Sequence, residues 1–227
     1  YFLLHDLDRN LIANICQASR KDFREAVKAA RNATAGWSSR SPYNRGQILY
    51  RVAETLEGRK EQFAEELVTL GMKRKNATKE IETSLDRLVY YAGWTDKYQQ
   101  IFSSVNPVSS SHYNFSVPEY QGIIAIIAPE NNPLLGLVSL ISPAIASGNT
   151  VVCLGGQQSP LSSISFAEVL HASDVPAGVV NILTGFASEL SEHFSSHMDV
   201  NGIVCSDDHQ DQIQSIQENA AENVKRV

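Results

Sequence analysis

The sequence predicts an α/β fold, a helical N-terminal part followed by a doubly wound parallel sheet, and three observations predict it. From residue 122 onward, short Val- and Ile-rich runs alternate with helical patterns, the signature of strands joined by crossover helices. The first run, residues 123–128, is apolar throughout, as in a parallel strand covered on both faces. Residues 1–103 instead place apolar side chains three and four apart, the period of a helix face. A chain of 227 residues, 43% hydrophobic, holds core enough for one large domain of this kind.

The helices come first. Ser19 can cap a helix to about residue 35, with Phe23, Ala26, Val27 and Ala30 on its inner face. Ser41-Pro42 pairs a capping residue with a first-turn proline, and Ile48, Leu49, Val52 and Leu56 follow on one stripe. A third helix with Phe63, Leu67 and Leu70 ends at Gly71. A fourth is expected over 79–101, with Ile81, Leu85, Leu88, Val89, Tyr90 and Tyr91 as its apolar stripe and its charged positions as the solvated face. Nothing in residues 1–103 requires a catalytic role. In 105–121 the texture changes: Val108, Tyr113, Phe115 and Val117 lie in a Ser-rich stretch between Pro107 and Pro118. That reads as a short hairpin with little core of its own, one that needs to pair outside the segment.

The sheet follows. After the strand at 123–128 comes a helix from Pro133 to Gly148, then a strand at 150–154 and a helix from Pro160. Residues 179–183 form the third strand, 188–196 a short helix, 203–205 the fourth strand and 208–221 a helix. Residues 224–227 open one more strand. Parallel sheets of this type bind ligands at the carboxyl ends of their strands. The loops after Ala128, Leu154, Leu183 and Cys205 are therefore the candidate site.

Charge narrows what those loops can hold. The net charge is −6, but residues 1–97 carry 17 of the 19 Lys and Arg and a net of +4. Residues 98–224 carry no Lys or Arg and twelve acids. That surface is unsuited to nucleic acid, an anionic membrane or a polyphosphate. No apolar run approaches the roughly 18 residues of a membrane span. The three cysteines, Cys16, Cys153 and Cys205, form no CxxC pair, which fits a reducing compartment and a cytoplasmic location and excludes a Cys-based zinc site. The histidines are scattered, with no Gly-x-Ser-x-Gly elbow, so hydrolase chemistry has no support.

The loops themselves are sparing. Pro129-Glu130-Asn131-Asn132-Pro133 presents two asparagines near a helix start: an amide there can donate to an oxyanion, or simply cap the helix, which its spacing favours. Gly155-Gly156-Gln157-Gln158 is neither GxGxxG nor a P-loop and reads as a plain turn. Asp207, Asp208 and Asp211 load the last helix's first turn with carboxylates, which cap it themselves and repel a phosphate. Asp207, Asp208 and His209 are too close in sequence to aim at one metal ion, and no metal is expected.

Several segments, in this order, resemble the aldehyde dehydrogenases. They are Tyr90-Tyr91-Ala92-Gly93-Trp94-Thr95-Asp96-Lys97, residues 122–133, residues 143–152, residues 176–185, and Asn223-Val224-Lys225-Arg226-Val227. The resemblance implies a Rossmann-like cofactor-binding domain over 1–104 and 122–227, and an oligomerisation hairpin over 105–121. The catalytic domain, with its cysteine and glutamate, would lie beyond Val227. By position, Asn131 matches the family's oxyanion-hole asparagine. The cofactor positions depart from the family pattern: Glu130 stands where tryptophan is usual, Leu154 for the ribose-binding lysine and Gln157 for a nearby glutamate. Asp207 and Gln212 replace the glycines of the Gly-x-x-x-x-Gly at the pyrophosphate helix. Such losses resemble the second, noncatalytic module of the family 16 aldehyde dehydrogenases. That likeness implies a pseudoenzyme serving assembly or protein contacts, as a homo-oligomer or beside a companion aldehyde dehydrogenase module, with no cofactor expected. The alternative is the N-terminal part of an active NAD(P)-dependent enzyme oxidising aldehydes to carboxylic acids.

Overall fold

The computed structural model describes residues 1–206 and 210–227. It opens with a hairpin that the hydrophobic pattern does not announce: β1 (Phe2–His5) pairs antiparallel with β2 (Leu11–Ile15). The Asp6 carboxylate closes the turn by accepting from Asn10 N and Nδ2 at 2.7 and 2.9 Å.

The helical part follows the expected punctuation. α1 (Arg20–Ser38) starts at Ser19 with a reciprocal cap, Ser19 N donating to the Asp22 carboxylate at 2.8 Å while the Ser19 side chain accepts from Asp22 N. α2 (Pro42–Gly58) starts at Ser41, whose Oγ accepts from Asn44 N at 3.2 Å. α3 (Lys60–Thr69) stops just before Gly71. The fourth helix departs from expectation. α4 (Arg74–Trp94) begins earlier and stops before residue 101, and α5 (Tyr98–Phe102) is a separate turn. The break comes where Thr95 Oγ1 donates to Ala92 O at 2.9 Å and Lys97 N to Trp94 O at 3.0 Å, tightening the chain. The apolar stripe is also narrower than expected: Val89 and Tyr90 are exposed, whereas Ala77, Glu80, Ile81, Ser84, Leu88 and Ala92 face inward.

The expected hairpin is present as β3 (Ser104–Asn106) and β4 (Asn114–Ser116), with Val105 opposite Phe115 and both exposed. The sheet is built from β5 (Ile123–Ile127), β6 (Thr150–Leu154), β7 (Val180–Leu183) and β8 (Gly202–Cys205). All four are parallel, in the order β7-β6-β5-β8. Their connecting helices are α6 (Pro133–Ala146), α7 (Pro160–Ala172) and α8 (Ala187–Ser196), with α9 (Gln210–Ala221) after β8. The expected further strand is reduced to Arg226, which pairs with Gly202 and accepts from Ile203 N at 2.8 Å.

Alternation along the central strands sorts the core into two layers. Ile124, Ile126, Val151 and Cys153 pack with Leu49, Phe63, Leu88, Leu137 and Phe166, the layer of α2, α3, α4, α6 and α7. Ile123, Ile127, Val152 and Leu154 pack with Phe23, Val27, Phe194 and Ile216, the layer of α1, α8 and α9. Each fully buried Leu, Ile or Phe contributes about 1.5–3 kcal/mol, so β5 and β6, buried at every position, anchor the fold.

α6 is held at both ends by charges from other helices. Glu80 of α4, 4% exposed, accepts from Leu134 N and Leu135 N at 2.9 and 3.2 Å. Arg45 of α2, equally buried, donates from Nε to Ala146 O at 3.0 Å and from Nη1 to Arg40 O at 2.6 Å. Each sign suits the helix end it meets. Gly148, at φ +92°, then turns the chain into β6.

Candidate functional site

β6 and β7 lie on one side of β5 and β8 on the other, so the winding reverses between β5 and β8. Ligand crevices in such sheets form at the carboxyl ends of the strands beside that reversal. The loops after β5 and β8 flank it, and the loop after β6 stands next to it.

The loop after β5 carries Glu130, Asn131 and Asn132. Asn132 does not cap α6 as its spacing suggests. Asn132 occupies the cap position in the left-handed region, φ 53°, and makes no side-chain capping bond. Asparagine tolerates that conformation. The first N–H groups of α6 go instead to Glu80, reaching up from α4. Burial pushes the Glu80 carboxyl above the usual carboxylate range, against the opposing pull of the two N–H bonds. Its charge assigns this residue to the solvated face of the sequence pattern, yet Ala77, Ile81, Ser84 and Leu88 put position 80 on the inner stripe. Asn131 is exposed in the same turn.

Glu130 crosses to the neighbouring loop. Its Oε1 accepts from Gln157 N and its Oε2 from Gln158 N, both at 2.9 Å. Two successive backbone N–H groups converging on one carboxylate form a small anion cradle, and here the anion is the protein's own side chain. Gly156 makes the approach possible: a Cβ there would stand 3.1 Å from Pro129 O and 3.3 Å from Glu130 Oε2. So the turn after β6 is more than a plain turn, and Gln157 contributes its backbone.

The remaining candidates are spread apart. Leu154 is 2% exposed and packs with Phe23 and Val152 beneath the loop, offering no polar atom. Gln212 sits in the first turn of α9, its Oε1 buried without a hydrogen-bond partner among the described residues. Asp207, with Asp208 and His209, lies outside the described residues, as does the Asp211 side chain, and the expectation of a carboxylate-filled helix start falls on them. Cys153 is fully buried in β6, and burial pushes its thiol far above the ordinary range, away from the thiolate that nucleophilic chemistry needs. Among the described residues, no group of three or more His, Cys, Asp or Glu is placed to hold a metal ion, and no helix is long and apolar enough to cross a membrane.

The parallel sheet, its winding reversal and the loops gathered there define a Rossmann-like α/β domain. Comparison makes the assignment specific: residues 4–227 match the model of the aldehyde dehydrogenase family, and the chain belongs to that family. The putative aldehyde dehydrogenase DhaS of Bacillus subtilis is 32% identical over 220 residues, covering 95% of this chain and 44% of that protein. The cytosolic 10-formyltetrahydrofolate dehydrogenase of Xenopus tropicalis is 34% identical over 211 residues, covering 89% of this chain and 23% of that protein. Among solved structures, the NAD+ complex of an aldehyde dehydrogenase from Bacillus cereus superimposes with a TM-score of 0.93 at 28% identity, over 100% of this chain and 46% of that one. The chain thus spans less than half the length of these relatives.

Proposed function

We propose that this chain is a noncatalytic module of the aldehyde dehydrogenase fold, serving assembly or protein contact, whose cofactor crevice is closed by its own Glu130. The observation that carries this reading is the pair of 2.9 Å bonds from Gln157 N and Gln158 N to the Glu130 carboxylate. A dinucleotide approaching that loop meets a fixed negative charge where free N–H groups would welcome its phosphates or ribose hydroxyls. Beneath the loop, buried Leu154 supplies no donor, and residues 98–224 hold no Lys or Arg to compensate. These residues do not fit NAD. Losing one charged contact and adding one repulsive carboxylate each cost on the order of 1–3 kcal/mol, together roughly a hundredfold or more in affinity. The exposed Val105 and Phe115 of the β3–β4 hairpin support a protein-contact role, with a second copy or a companion aldehyde dehydrogenase module as partner. A cytoplasmic setting agrees with three cysteines that form no disulfide.

Calorimetric titration of the full-length protein with NAD and NADP tests the reading. No saturable binding below about 1 mM is expected, and micromolar binding of either cofactor would overturn it.

A second reading is favoured by the NAD+-bound neighbour and by the share of its length that this chain covers. In it, the chain is the N-terminal part of an active NAD(P)-dependent enzyme that oxidises aldehydes to carboxylic acids. Asn131 would then donate to the oxyanion formed as a thiolate supplied from outside this chain attacks the aldehyde. Aldehyde-dependent formation of NADH or NADPH by the full-length protein, abolished by Asn131→Ala, would establish it.

A further inference from the structure

We propose that the pocket between the first turns of α1 and the end of α8 binds a small ligand carrying a phosphate group or clustered carboxylates. The inference is independent of the cofactor crevice, because the pocket belongs to a helical layer and not to the loops at the strand ends. Its volume is about 720 Å3, within the range of small-molecule sites. Arg20, Lys21 and Arg24 line it from α1, His193 from α8 and His197 from the residue just past its end. None of its lining residues is acidic. In a chain of net charge −6, with its cations absent from 98–224, three fixed cations around one concavity are a chemical specialisation.

The local carboxylates do not neutralise it. Asp22, the acid of that first turn, is committed to Ser19 through N and Oγ at 2.8 and 2.7 Å. Glu25 stands 3.8 Å from Arg24 with both side chains exposed, a pairing of little strength. Arg20 and Lys21 enter no ion pair among the described residues. The helix start is therefore already capped, and what remains is side-chain charge facing a cavity.

The other wall supplies directional donors. His197 Nδ1 accepts from Asp199 N at 3.2 Å, which leaves Nε2 as the N–H-bearing nitrogen of the neutral ring. Phe23, 1% exposed, stacks on Phe194 with ring centroids 4.4 Å apart and meets His197 edge-on at 5.6 Å. The floor is thus rigid, and it holds the imidazole in place. Two arginines one helical turn apart suit two-pronged contact with the oxygens of one phosphate or of neighbouring carboxylates.

The test is calorimetric titration of the full-length protein with inorganic pyrophosphate and, separately, with citrate, alongside NMR of the histidine imidazole resonances. Saturable binding of either with a sub-millimolar Kd is expected, weakened at least tenfold in the Arg20→Ser/Arg24→Ser double variant. The resonances of His193 and His197 should move at saturation. A response to pyrophosphate alone assigns a phosphorylated ligand, and a response to citrate alone a polycarboxylate. Absence of saturable binding with both probes, binding unchanged in the double variant, or histidine resonances that stay in place would overturn the proposal. Both arginines are exposed, so the variant retains the fold, which its thermal unfolding checks.

Discussion

The seam between α4 and α6 and the rim above β5 and β6 solve the same problem in opposite surroundings. In each, one glutamate accepts from two consecutive backbone N–H groups: Glu80 from Leu134 and Leu135, Glu130 from Gln157 and Gln158. Glu80 does so at 4% exposure, with its second oxygen buried and unbonded among the described residues. Glu130 does so at the protein surface, where water competes for both partners. The same bond pattern is therefore structural in the first place and exchangeable in the second. Glu80 holds α6, and through it the turn bearing Asn131. Glu130 governs what else can reach the amides of the neighbouring loop.

Substitutions separate the two. The largest effect is expected for Glu80→Leu, which strands one buried and one part-buried N–H group at the start of α6. Urea unfolding should register a loss of about 3 kcal/mol. Arg45→Met, at the opposite end of the same helix, removes the donor to Ala146 O and Arg40 O and should cost about 2 kcal/mol in the same measurement. Glu80→Gln keeps an acceptor and should stay within about 1 kcal/mol of the parent, but with a different pH profile. The Glu80 carboxyl titrates above its ordinary value of 4.5 in the folded protein. Its contribution to stability is therefore complete below the unfolded value and lost as pH rises through the raised one. Tm values measured from about pH 4 to about pH 8 should show Glu80→Gln gaining on the parent as pH rises. A constant difference would mean the carboxyl is not shifted. The smallest effect is expected for Glu130→Ala, less than about 1 kcal/mol. A loss as large as that of Glu80→Leu would place Glu130 among the structural residues and erase the contrast.

Much of the fold is legible because its signals are local. Ser19 and Ser41 mark helix starts, and the unbroken run from Ile123 marks a strand buried on both faces. The N-terminal hairpin escapes because its strands are short and its turn rests on Asp6 and Asn10 rather than on glycine. The end of α4 escapes because what stops it is a side-chain bond from Thr95 to Ala92 O and not a proline. The site is less legible still. Asparagines before a proline look like caps, but the cap comes from Glu80, 54 residues earlier in the chain than Leu134. The inner stripe of α4 does carry a signal for it, since position 80 falls between Ala77 and Ser84. No spacing rule finds the bond from Gln157 to Glu130, because it joins two loops 27 residues apart that only the sheet brings together.

The two readings part on whether Glu130 acts as a built-in occupant of the loop after β6. Titrating NAD calorimetrically onto the full-length protein and onto its Glu130→Ala variant asks this most directly. The prediction is no saturable binding below about 1 mM for the parent and at least tenfold tighter binding for the variant, about 1.4 kcal/mol. Micromolar binding by the parent, or no gain on removing the carboxylate, would contradict it.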